Sequence, residues 1–117
     1  LPPPVGPYTP VVRAGDWLIV SGQLGRDEEG NFASGGVAGQ TRKAIENIGA
    51  LLQSEGASLS DVVKTTVLLA SIDDYSSVND AYVESFASHR PARSAFATGG
   101  LPLNALVEIE AWAYLPS

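Results

Sequence analysis

The stretch Leu106-Val107-Glu108-Ile109-Glu110-Ala111-Trp112-Ala113-Tyr114 decides how this chain folds. Its strict alternation is that of a β-strand, in which successive side chains point to opposite faces. One face collects Val107, Ile109, Ala111 and Ala113, small and apolar, suited to lie beneath a layer of helices. The other collects Leu106, Glu108, Glu110, Trp112 and Tyr114. Two carboxylates among aromatic rings suit neither a sealed core nor an ordinary solvent face. The strand is therefore expected in a sheet covered by helices on one side, with an interface or cleft wall on the other. A ring-shaped homo-oligomer with its site between subunits accounts for both halves of the mixture.

Working outward, Val37, Thr41, Ala44, Ile45, Ile48, Leu51 and Leu52 recur at helical spacing and Gly56 follows as a stop, which predicts a first helix. Val78, Tyr82 and Phe86 predict a second, with Ser71 and Asp73-Asp74 as candidate caps. Between them Asp61 to Ala70 is rich in β-branched residues and reads as a central strand. Arg93 to Thr98 reads as another strand. Before the first helix, Val11-Val12-Arg13 and Trp17 to Val20 flank Ala14-Gly15-Asp16 as a hairpin, and a short strand is expected around Phe32 and Ala33. Leu1 to Pro10 holds five prolines and is expected to be an extended arm. The resulting order, β-β-(β)-α-β-α-β-β, is an α/β (α+β) domain over residues 1–117, with one sheet and both helices on the same face.

Composition narrows the function. No apolar run approaches the ~20 residues that span a bilayer. No basic segment followed by an apolar stretch marks a secretory signal, the missing initiator Met suggests a trimmed chain, and the expected location is the cytoplasm. The chain has no cysteine and a single histidine, His89, so thiol chemistry and the usual zinc constellations are excluded, and neither metal nor cofactor is expected. A net charge of −6, with the cations scattered along the chain, argues against nucleic acid as a partner.

Several residues are candidates for chemistry, each with an ordinary alternative. Arg93 enters its strand after Pro91-Ala92, where its planar fork suits a substrate carboxylate; the alternative is an ion pair at a strand end. Glu108 and Glu110 share the mixed face, where a partly apolar cleft raises a carboxyl's proton affinity; the alternative is a pair of edge charges that discourages aggregation. Ser21-Gly22-Gln23 ends a strand and offers a hydroxyl and close backbone approach, or is only a turn. Gly35-Gly36 opens the first helix without the spacing of a phosphate loop and reads as a turn. His89, with Asp80 or Glu84, lacks the nucleophile elbow of a Ser-His-Asp site. Tyr8 alone would be an arm residue, and Asn79 a helix-surface amide.

Together, Gly6-Pro7-Tyr8, Ser21-Gly22-Gln23, Gly35-Gly36-Val37, Val62 to Val67, Val78-Asn79, Pro91-Ala92-Arg93-Ser94 and Glu108-Ile109-Glu110-Ala111 resemble the Rid/YjgF family. The resemblance runs collinearly from about Gly6 to Ala113. It implies a chorismate-mutase-like fold, a homotrimer around a central barrel of sheets, and active sites in the clefts between subunits. It also implies a hydrolase that converts reactive 2-imino acids to 2-keto acids and ammonia. On this sequence Arg93 would clamp the carboxylate and Glu108 would position or activate water, while Tyr8, Ser21, Gly22, Asn79 and Ala95 match pocket positions. Many RidA members carry cysteine where this chain has Ala95; use of that position through its backbone carbonyl would survive the change. Phe96, Leu103 and Leu106 are further positions at which the pocket's shape would differ. An imine is already electrophilic, so orienting it against one water and assisting proton transfer suffices without metal or cofactor. The rival readings are a trimer that binds a small carboxylate without turnover, a deaminase for an aminoacrylate-like catabolic intermediate, and a ribonuclease or translation inhibitor. The last is disfavoured by the acidic charge.

Overall fold

Val11–Ala14 (β1) and Trp17–Leu24 (β2) form the expected hairpin, turning at Gly15, whose φ of 62° is the left-handed conformation that glycine adopts without strain. This is a computed structural model, and it describes residues 1–116. Residues 1–10 contain neither helix nor strand. They are tied down by the Arg26 Nη2, which donates to the Pro3 carbonyl at 2.8 Å, and by the Ser21 Oγ, which donates to the Thr9 carbonyl at 2.7 Å.

Gly36–Ser54 (α1), Val62–Leu69 (β3), Tyr75–Phe86 (α2), Ala92–Ala97 (β4) and Val107–Tyr114 (β5) complete the chain. The sheet order is β1-β2-β5-β3-β4. β3 and β4 are parallel, and every other neighbouring pair is antiparallel, so the sheet is mixed. The last strand thus inserts at the centre, between β2 and β3. Val107, Ile109, Ala111 and Ala113 are each 0% exposed and pack in one cluster with Ile45, Ile48, Leu52, Val78 and Phe86 of the helices. Both helices therefore cover one face, as the alternation of β5 predicts, and Glu108, Glu110, Trp112 and Tyr114 lie on the other.

Three details depart from expectation. Phe32 makes only an isolated bridge with Arg26, because Asp27 closes a tight turn by accepting from the Glu29 and Asn31 backbone through its Oδ1. Leu106 precedes β5 and packs against the core, its N–H donating to the buried Gln40 Oε1 at 2.9 Å. β2 carries a bulge: Val20 pairs with Ala111 and Gln23 with Ile109, three steps against two, so one extra residue is accommodated at Ser21-Gly22. Beyond the bulge, the Asn47 Nδ2 on α1 donates to the carbonyls of Leu24 and Arg26 at 3.2 and 3.0 Å and fixes the strand's exit.

Candidate functional site

Arg93 sits on the edge strand β4, opposite Thr65 of β3, on the side covered by α2. Its Nη2 donates to the Asn79 Oδ1 at 2.8 Å and to the Tyr75 Oη at 3.2 Å. Its guanidinium carbon lies 4.9 Å from the Tyr82 ring centroid and 5.6 Å from that of Tyr75, within the range where an aromatic face attracts a cation. Tyr82 is itself fixed by a 2.7 Å hydrogen bond between its Oη and the Thr65 Oγ1. Burial holds the Tyr82 phenol above its ordinary pKa, against the opposing pull of that hydrogen bond and of the Arg93 and Arg90 charges. It is a neutral wall. Among the described residues, no carboxylate lies within ion-pair distance of Arg93. Within one copy, the ordinary alternative of an ion pair at the strand end is not realised. The half-buried guanidinium is held within one copy by neutral oxygens and ring faces.

Glu108 lies on the open face, opposite Leu24 of β2 and Leu68 of β3. Tyr8, Ser21, Gly22 and Leu24 line the same cleft of about 290 Å³, with Val5, Pro102 and Glu110. Gly22 is the floor beneath the carboxylate, since a methyl group placed on it would come within 2.8 Å of the Glu108 Cδ and nearer still to Oε2. Loss of solvent around Glu108, and then the neighbouring Glu110 charge, raise its pKa above the usual carboxylate value of 4.5. Because β5 is central, the edge-charge explanation of Glu108 and Glu110 does not apply.

The structure thus gathers the singled-out residues into two groups. Tyr8, Ser21, Gly22 and Glu108 surround one cleft, and Asn79 and Arg93 meet on the helix-covered side. Ala95, two residues after Arg93, packs its side chain against the core. Glu108 and Arg93 are separated by β3 and point to opposite faces of the sheet, so one copy of the chain does not bring them together. His89 belongs to neither group: its Nε2 lies 2.6 Å from the Val62 carbonyl oxygen, and Glu84 pairs with Arg42 instead. Gly35 and Gly36, with φ of 99° and 66°, make the turn into α1. Tyr75 is not singled out by the sequence, and Tyr82 is read there only as part of the apolar stripe of the second helix. They lie at i and i+7 around Asn79 on one stripe of α2, and that spacing was the available signal.

A helix-covered mixed sheet with an acid-lined cleft on its open face, and an arginine at its far edge, defines a class of small α+β proteins. The endoribonuclease L-PSP family model matches residues 1–115, and the chain belongs to this family, also called Rid/YjgF. Over 113 residues it is 42% identical to human 2-iminobutanoate/2-iminopropanoate deaminase, which covers 96% of this chain and 82% of the human protein. The crystal structure of RidA from an Antarctic Psychrobacter superimposes with a TM-score of 0.92 at 36% identity, over 97% of this chain and 93% of that one. E. coli TdcF, solved with bound serine, gives 0.90 at 32% identity, over 97% and 92%.

Proposed function

We propose that this protein hydrolyses 2-imino acids to 2-keto acids and ammonia, in clefts where β4 and α2 of one copy meet the open sheet face of the next. The observation that carries the reading is Arg93, a half-buried cation with neutral partners, which leaves its charge for a substrate carboxylate. Glu108 supplies the second requirement. A carboxyl with a raised pKa exchanges protons near neutral pH more readily than an ordinary one. Water's oxygen bonds to the imine carbon while Glu108 takes one of its protons and passes it to the nitrogen. Glu108 then carries the carbinolamine's hydroxyl proton to the amino nitrogen, the C–N bond breaks as the C=O forms, and ammonia and the keto acid depart.

The opposite placement of Arg93 and Glu108 is the reason for placing the site between copies. The open face supports association: Trp17, Trp112 and Tyr114 are 39%, 42% and 42% exposed and stack edge to face, a patch that a second copy would cover. A ring of three copies would join each Arg93 edge to a neighbouring Glu108 cleft. The naming of the human relative as an imine deaminase, and of TdcF as a serine-bound structure, supports a small ligand bearing a carboxylate. The family description also names an endoribonuclease, but a net charge of −6 disfavours RNA.

The test generates imines in situ from several amino acids with an amino-acid oxidase and follows their trapping by semicarbazide. Wild-type protein is expected to deplete the trapped imine and Arg93→Ala to leave it unchanged. If neither protein alters any imine's lifetime, the deaminase reading gives way to a trimer that binds a small carboxylate without turnover.

A further inference from the structure

Both hydrogens of the Arg93 Nη2 are committed, one to Asn79 and one to Tyr75. This limits how Arg93 can hold a carboxylate. The guanidinium fork makes a two-bond grip by pairing Nη2 with either Nε or Nη1, so each grip needs a hydrogen from Nη2. While the two bonds hold, the arginine alone offers a carboxylate only single contacts.

The missing donor lies next to it. The Tyr75 oxygen accepts from Nη2, so its own hydrogen is directed elsewhere, and accepting from a cation makes that O–H a stronger donor. Of the other groups around the guanidinium, the Tyr82 hydroxyl is buried and shared with Thr65 at 2.7 Å. Asn79, its oxygen engaged at 2.8 Å, keeps its amide N–H groups as further donors beside the hydroxyl of Tyr75. Tyr75 is 41% exposed, and its position at the start of α2 is set by the preceding turn, where the Ser71 Oγ accepts from the Asp73 N–H. We infer that Tyr75 is a substrate-binding residue whose hydroxyl completes, with the Arg93 Nη1, a two-point grip on the carboxylate of the imino acid. This rests on the reading of Arg93 as the carboxylate anchor.

The two readings separate experimentally in Tyr75→Phe, which keeps the ring over Arg93 and removes only the hydroxyl. With 2-iminobutanoate generated in situ, KM is expected to rise about tenfold, the effect of losing one hydrogen bond to a charged group, while kcat stays within about twofold. Inhibition by 2-oxobutanoate is expected to weaken by the same factor and inhibition by its amide to change little, a distinction that a purely structural role would not produce. Arg93→Ala is measured alongside. If Arg93→Ala loses affinity for the acid while Tyr75→Phe keeps wild-type KM and acid preference, the role of Tyr75 is refuted and the anchor stands. A lower KM in Tyr75→Phe also refutes it, showing that Tyr75 competes with substrate for Nη2. If neither variant changes the acid's affinity, both readings fall.

Discussion

Replacing Gly22 by alanine is expected to remove most activity while leaving the fold intact. The added methyl would stand 2.8 Å from the Glu108 Cδ and 3.0 Å from its Cγ, where carbon–carbon contact normally begins near 3.5 Å. The carboxyl group must therefore move by roughly 1 Å, and a displacement of that size at a reacting group costs about 100-fold in rate. Stability should change little. Gly22 lies outside the left-handed region, so alanine fits its backbone, and what it displaces is the end of a flexible side chain. An off-rotamer side chain costs about 0.5–1.5 kcal/mol, and glycine-to-alanine restriction of the unfolded chain returns about 0.4–1 kcal/mol. The net is within about 1 kcal/mol, or a Tm shift of about 4–8 °C at most for a chain of this size. Imine trapping would give kcat/KM, and thermal melting would give Tm. A folded Gly22→Ala protein with wild-type kcat/KM would falsify the assignment of Glu108 to the reaction.

Gly25→Ala makes a useful contrast, because there the new methyl meets the Gln40 backbone at 2.7 Å or less rather than a movable side chain. It should cost about 2–3 kcal/mol or more, visible as a large loss of Tm or of soluble protein. Glu108→Gln should raise Tm at pH 7. The folded-state pKa of Glu108 lies above its unfolded value, so ionisation opposes folding at neutral pH, and the penalty is relieved as pH falls through the folded pKa toward 4.5. The Tm difference between wild type and Glu108→Gln should therefore shrink on acidification and vanish below pH 4.5, while a constant or widening gap would contradict the cause given for the shift.

Much of the fold was legible because β5 announces it. Its alternation separates Val107, Ile109, Ala111 and Ala113, all fully buried, from the residues of the open face. α1 and α2 follow their apolar periods for the same reason, since each must bury one stripe. What escaped depends on partners distant in sequence. Leu106 falls on the correct parity for the open face, yet the chain turns before it, and the Gln40 side chain draws its N–H toward α1. The bulge at Ser21-Gly22 has no local signature, because it is defined only by the register with Ala111 and Ile109. The site was legible as a set of residue types but not as a geometry. Arg93 and Glu108 were both singled out, whereas their opposite faces follow from the pairing of β4 and β5 with β3, which no spacing within either strand reveals. Tyr75 was missed because its partner lies 18 residues away on another element.

The measurement that bears most directly on the account mixes two inactive variants. Arg93→Ala and Glu108→Gln, each expected to fail in the trapping assay, are unfolded together in equal amounts, refolded, and assayed for imine hydrolysis. If each site takes Arg93 from one copy and Glu108 from the next, random assembly restores both residues at about one site in four, and roughly a quarter of wild-type activity should return. No recovery from a properly assembled mixture would mean that the two residues do not act across an interface, and the site between copies would have to be abandoned.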